Sequence, residues 1–179
     1  MTCLVPPRIV SSHFLSSHLF MTTATALPLE AGTEAPEFNL RTTSGEFVTL
    51  SSFRGKKNVL LAFFPLAFTG VCTSELCAFS ADFDEFSSFD VEVLPISVDA
   101  SPSLKEFRTK YDMKVELLSD SRREASAAFG VLHPQAFFAN RAYFLIDKTG
   151  MIRWSYVEPT IDTKRDNAEI LDAIRALSV

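Results

Sequence analysis

The strongest constraint on the fold is a pair of apolar runs, "NVLLAFF" (Asn58 to Phe64) and "VEVLPISV" (Val91 to Val98). Neither alternates as a half-solvated strand would. A strand-length run that stays apolar reads as a strand covered on both faces, the usual state of parallel pairing. Between the two runs, from Gly70 to about Ser88, apolar residues fall at Cys72, Leu76, Phe79, Phe83 and Phe86. That spacing marks one face of a helix. A buried strand, a helix and a second buried strand make a βαβ unit.

The rest of the chain adds to this unit on both sides. "PEFNLRTTSGEFVTL" has two short runs around Thr-Thr-Ser-Gly and predicts a β-hairpin. "SPSLKEFRTKYD" predicts a helix capped by Ser101, with Pro102 at the first helical position. "SRREASAAFG" predicts a helix stopped by Gly130. "RAYFLID" and "MIRWSYV" around Lys-Thr-Gly predict two antiparallel strands. "DTKRDNAEILDAIRALS" predicts a closing amphipathic helix that buries Ala168, Leu171 and Ile174. The expected architecture is α/β, a mixed central sheet flanked by helices with an N-terminal β-hairpin.

A chain of 179 residues suffices for one domain with a sizeable core. Its net charge of −5 argues against nucleic-acid or anionic-membrane partners. No apolar run reaches the roughly 18 residues that cross a bilayer. Three cysteines, Cys3, Cys72 and Cys77, do not make a secreted disulfide framework. They fit a reducing compartment, and a cytoplasmic location is expected. Residues 1–27 carry one charged residue, Arg8, and no acid. They read as a disordered or non-native extension, with a transit peptide as the rival reading. The domain is expected over residues 28–179, and Cys3 receives no role.

The chemistry is concentrated in "FFPLAFTGVCTSELCAFS". With Thr69 as the helix cap, Cys72 falls at the third helical position, where an anion is favoured. Unpaired N–H groups and the positive end of the helix dipole stabilise a thiolate there, and the thiolate is the nucleophile. Spacing alone leaves another reading equally open: Cys72 is also the first apolar residue of the 72/76/79 stripe.

"PLAFTGVC" has the form Pro-x-x-x-Thr-x-x-Cys, and here the chain resembles the peroxiredoxins, thiol-dependent peroxidases of thioredoxin-like fold. The "NRAYFLIDKTG" and "MIRW" segments are similar to that family as well, over about Leu29 to Val179. The resemblance implies Cys72 as the peroxide-attacking nucleophile and Arg141 as the partner of the thiolate and of the reacting oxygens. Thr69, with the Val71 and Cys72 amides, would be donors to the peroxide, and Pro65 would shield the loop. Substrates would be hydrogen peroxide and organic hydroperoxides, with no metal and no organic cofactor. The reductant would be of thioredoxin or glutaredoxin type, and a homodimer built around the site loop is among the expectations. Glu75 reads as ordinary complement to the helix dipole. Asp99 reads as a cap for the following helix, and His133 and Trp154 as loop or packing residues.

"CTSELC" has the spacing with which the bacterioferritin comigratory protein (peroxiredoxin Q) group resolves its first cysteine, so Cys77 is the expected resolving thiol. "PLAFTGVC" is more similar to the alkyl hydroperoxide reductase E type, whose members commonly lack that resolver. Five helical residues span about 7.5 Å of rise and put the two Cα atoms on the order of 8.6 Å apart. A disulfide wants about 4.4–6.8 Å, so the helix would have to unwind. The rivals are a one-cysteine peroxidase resolved by an external thiol, and a redox sensor or holdase using the same cysteine. A thioredoxin-type oxidoreductase would need Cys-x-x-Cys, which the chain lacks.

Overall fold

The computed structural model describes residues 27–177. Nearly all of the expected N-terminal extension, and Cys3 with it, lies outside the described residues. The two runs pair in parallel as β3 (Asn58–Phe63) and β4 (Val91–Ser97), with Leu60 opposite Val93 and Phe63 opposite Ile96. Side chains alternate across β3. Leu60, Ala62 and Phe64 therefore enter one apolar core, and Val59, Leu61 and Phe63 enter another on the opposite face. The continuous apolar run is the sequence trace of that double burial.

Seven strands form one mixed sheet in the order β2-β1-β5-β4-β3-β6-β7. The hairpin is β1 (Asn39–Thr42) with β2 (Phe47–Thr49), followed by a 3-10 turn at Leu50–Phe53. It joins the sheet through β5 (Leu118–Ser119), a two-residue strand that the sequence pattern does not announce. On the other side, β6 (Ala142–Ile146) and β7 (Ile152–Val157) are antiparallel to their neighbours.

Helices α1 (Gly70–Ala81), α2 (Phe83–Ser88), α3 (Ser101–Lys110) and α5 (Asn167–Leu177) pack on one face. The short α4 (Glu124–Ala128) lies on the other, with Ala125 in the second core. Among the described residues, no helix is long and apolar enough to cross a membrane.

Several local expectations need correction. The single helix over Gly70 to Ser88 is two, because the chain bends at Asp82 (φ −95°, ψ 14°), whose carboxylate accepts the Asn167 side-chain amide at 2.8 Å. Ala100, not Ser101, holds the cap position of α3: Ala100 is extended (φ −66°, ψ 143°) and Ser101 is already helical, its hydroxyl donating to the Thr42 carbonyl at 2.8 Å. Helix α5 buries Ile170 beside Leu171 and Ile174, while Ala168 is exposed.

Candidate active site

The sheet brings the two ends of the site together. β3 runs into the loop 64–69 and then α1. β6 lies antiparallel beside β3 with Ala142 opposite Phe63, so Arg141 stands next to the point where β3 leaves the sheet. Cys72 falls in the first turn of α1 and is buried. The Arg141 Nη2 donates to Cys72 Sγ at 3.3 Å. Both residues are 1% exposed.

Thr69 occupies the cap position of α1, but its side chain does not cap the helix. The hydroxyl donates instead to the Leu66 carbonyl at 3.0 Å, which closes the loop on itself. The first α-helical bond is that of the Thr73 amide to the Thr69 carbonyl at 2.9 Å, so the Val71 and Cys72 amides lie ahead of it. A cavity of about 190 Å³ opens here. Pro65, Thr69, Val71 and Cys72 line one side of it, and Phe138 and Ile161 the other.

The guanidinium is held by more than the thiol. Glu75 is 2% exposed and bonds Arg141 Nη1, while Tyr143 donates its hydroxyl to the other Glu75 oxygen at 2.5 Å. The Tyr143 oxygen in turn accepts the Arg165 amide at 3.1 Å, and Arg141 Nη2 also donates to the Ile161 carbonyl at 3.1 Å. Burial pushes the Glu75 carboxyl above its ordinary range, against the pull of Arg141 and the Tyr143 hydroxyl. Burial pulls the Arg141 guanidinium down, but Glu75 and Cys72 outweigh it and leave it raised. Tyr143 is raised by burial and by the Glu75 charge beside it. Arg141 is therefore a fixed cation, oriented by a buried carboxylate.

Glu75 corrects the sequence reading: it is no solvated partner of the helix dipole. The signal was present, since position 75 lies inside the 72/76/79 stripe, where a solvated carboxylate is out of place. Tyr143 was missed, although it follows Arg141 by two residues at a strand start and so shares its face. Asp99 is also corrected. It makes no helix cap; its Oδ2 accepts the Ala67 amide and the Ser97 hydroxyl, each at 2.9 Å, and so pins the loop of the site to β4. Trp154 packs near Tyr143 and Tyr156, and the His133 Nδ1 accepts two amides of its own loop, as packing and loop residues do.

Cys77 is apart from this group. It lies on α1, half-buried against the first core, and its thiol is free. The four residues between it and Cys72 are helical throughout.

The pattern of known proteins agrees with this geometry. The chain is 41% identical over 152 residues to alkyl hydroperoxide reductase E of Mycobacterium tuberculosis (strain CDC 1551 / Oshkosh), covering 84% of this chain and 99% of that protein. It is 35% identical over 156 residues to a putative peroxiredoxin bcp of Haemophilus influenzae, covering 84% and 99%. The crystal structure of the reduced Plasmodium vivax 2-Cys peroxiredoxin superposes with a TM-score of 0.78 at 34% identity, over 84% of this chain and 83% of that one. The fold is thus thioredoxin-like, and the class is that of thiol-dependent peroxidases. With the AhpC/TSA family matching residues 31–155, the chain belongs to that family and is a peroxiredoxin-type enzyme acting on peroxides with a thiol reductant.

Proposed function

We propose that the protein reduces hydrogen peroxide and organic hydroperoxides through Cys72, and that the enzyme is recycled by way of Cys77. The contact of Arg141 Nη2 with Cys72 Sγ at 3.3 Å, in a buried pocket, is the observation that carries this reading. The Cys72 thiolate attacks one peroxide oxygen, and the O–O bond breaks. The second oxygen leaves with the electron pair, takes a proton and departs as water or alcohol. Cys72 is left as the sulfenic acid.

Negative charge spreads over both oxygens at the transition state. A cation already fixed in place stabilises that charge without reorganising. Arg141 is such a cation, and the Val71 and Cys72 amides add donors on the α1 side. The Thr69 hydroxyl is committed to Leu66 as a donor, so its oxygen is free to accept the O–H of the incoming hydroperoxide. Pro65 forms part of the wall that limits water.

In the second step the Cys77 thiol attacks the Cys72 sulfenic sulfur, giving a disulfide and water. This step requires the first turns of α1 to open, for the separation derived above exceeds what a disulfide spans. A thioredoxin- or glutaredoxin-type dithiol then reduces the disulfide. The half-burial of Cys77 favours a second reading, in which an external thiol resolves Cys72 directly. A reducing compartment such as the cytoplasm fits a protein that works through free thiols. The exposed Leu66 and Phe68 on the loop of the site suit a homodimer contact.

The test is peroxide turnover by the wild type, Cys72→Ser and Cys77→Ser, each with a thioredoxin and with a glutaredoxin-type donor. Loss of turnover in Cys72→Ser is expected with both donors. A Cys72–Cys77 disulfide is expected in peptide maps of the oxidised wild type. A sulfenic or sulfinic Cys72 that accumulates with Cys77 still reduced would overturn the internal recycling step.

A further inference from the structure

Tyr143 stands where packing alone would ask for a phenylalanine. It is wholly buried in the first core, paired with Ala62 of β3 on one side and Tyr156 of β7 on the other. A hydroxyl taken into such surroundings costs free energy unless its hydrogen bonds are made. This one makes two. It donates to Glu75 Oε1 at 2.5 Å and accepts the Arg165 amide at 3.1 Å.

The two bonds close a ring around the cation of the site. Arg141 Nη1 bonds Glu75 Oε2, Tyr143 holds Glu75 Oε1, and the Arg165 amide holds Tyr143. The chain then runs back to Ile161, whose carbonyl accepts Arg141 Nη2 at 3.1 Å. Ile161 is also part of the wall of the cavity over Cys72. Resting on the peroxidase reading above, we infer that Tyr143 is a positioning residue. Its hydroxyl holds the Glu75 carboxylate against Arg141 and ties the cavity wall at Ile161 to the same pair.

Glu75 shows why the hydroxyl matters. Among the described residues its hydrogen-bond donors are Arg141 and Tyr143, one to each oxygen. Glu75 is 2% exposed, so without the hydroxyl Oε1 would be buried with no donor. A carboxylate in that state turns away or takes a proton. Either outcome frees Arg141 from its fixed direction, and the contact with Cys72 Sγ at 3.3 Å depends on that direction. The groups acting on Glu75 are Arg141 and Tyr143 from the β6 side and Lys164 from the segment before α5. Cys72, on the same helix as Glu75, reaches it through Arg141. Burial opposes the charged carboxylate, while Arg141, the Tyr143 hydroxyl and Lys164 favour it. Removing the hydroxyl therefore moves protonation of Glu75 to higher pH.

The test is Tyr143→Phe, which removes one oxygen and keeps the ring. It is expected to lower the rate constant for oxidation of Cys72 by hydrogen peroxide at neutral pH by roughly tenfold, through misplacement of the cation. The pH profile supplies a readout that packing would not move. The thiolate fraction of Cys72 is followed by its ultraviolet absorbance and divided out. The acid limb that remains is expected at higher pH in Tyr143→Phe than in the wild type, and is expected to vanish in Tyr143→Phe/Glu75→Gln. A lowered melting temperature with an unmoved profile would make the hydroxyl a packing feature and overturn the inference. So would a limb that persists without the Glu75 carboxylate. The wild type gives a reading that needs no variant. The Tyr143 hydroxyl proton, held between two oxygens 2.5 Å apart, should give a slowly exchanging downfield proton resonance that shifts as Glu75 titrates. A resonance that stays fixed would also overturn the inference. Oxidation of wild-type Cys72 no faster than free cysteine is a different result. It would sink the peroxidase reading and leave that resonance in place.

Discussion

Two thiols on one helix live in different chemistry. Cys72 lies in the first turn of α1, almost wholly buried in the wall of a cavity, with a guanidinium on its sulfur and a buried carboxylate behind the guanidinium. Cys77 lies one and a half turns further on, half-buried beside apolar side chains, with its thiol free. The helix supplies both positions, but only the first lies against the start of β6, where Arg141 enters. On the proposed reading, reactivity belongs to the strand-to-helix junction and not to cysteine on α1 as such. On the proposed mechanism, a thiolate that attacks peroxide gains from fixed donors and exclusion of water.

The comparison breaks most visibly at Arg141. Arg141→Leu is expected to slow oxidation of Cys72 by roughly 10²–10³, the cost typical of removing one preorganised donor to a developing charge. It should also destabilise the fold by about 3–5 kcal/mol, because Glu75 is left buried without its cation. The double variant Arg141→Leu/Glu75→Leu is expected to recover much of that stability in thermal melts and none of the rate. Recovery of the rate would show that Arg141 acts only as packing.

Asp99 gives the next largest effect. Asp99→Ala removes the acceptor of the Ala67 amide, loosens the loop that carries Pro65 and Thr69, and is expected to lower kcat/KM by roughly ten- to a hundredfold through misplacement. Asp99→Asn keeps an acceptor at the same position and should stay within about threefold of wild type. Equal losses in both would point to the charge instead of the hydrogen bond.

A smaller effect is expected from pH. Burial raises the Glu75 carboxyl above its ordinary range, so ionising it costs more in the folded chain than in the unfolded one. Its contribution to stability is full below its unfolded value and is lost as pH rises through its folded one. The melting temperature of the wild type should therefore fall relative to Glu75→Gln as pH increases through and above the ordinary carboxylate range. Parallel curves for the two proteins would remove Glu75 as the titrating group. The smallest effect belongs to the other thiol. Cys77→Ser should leave the first oxidation of Cys72 unchanged in stopped-flow traces while altering which donor supports turnover. A slowed first oxidation would mean the two thiols are not separate in function.

Much of this arrangement was legible in the chain. The parallel pair β3–β4 could be read from its double-sided apolar runs, and the loop motif from Pro65, Thr69 and Cys72. What escaped did so for identifiable reasons. β5 has two residues, Leu118 and Ser119, too few to show a period. The bend at Asp82 depends on a hydrogen bond from Asn167, 85 residues away in sequence. Thr69 does hold the cap position, but its hydroxyl is turned to the Leu66 carbonyl and its oxygen takes no helix amide. Glu75 and Asp99 each had a sound local explanation as helix-end residues, and in each case a tertiary partner overrode it.

The most direct measurement of the central claim is the second-order rate constant for oxidation of reduced Cys72 by hydrogen peroxide, followed by stopped flow against free cysteine at the same pH. A fixed cation and helix amides around the sulfur should accelerate it by at least roughly 10³-fold. A rate within about tenfold of free cysteine, where the preorganised donors would be supplying almost nothing, would contradict the site described here.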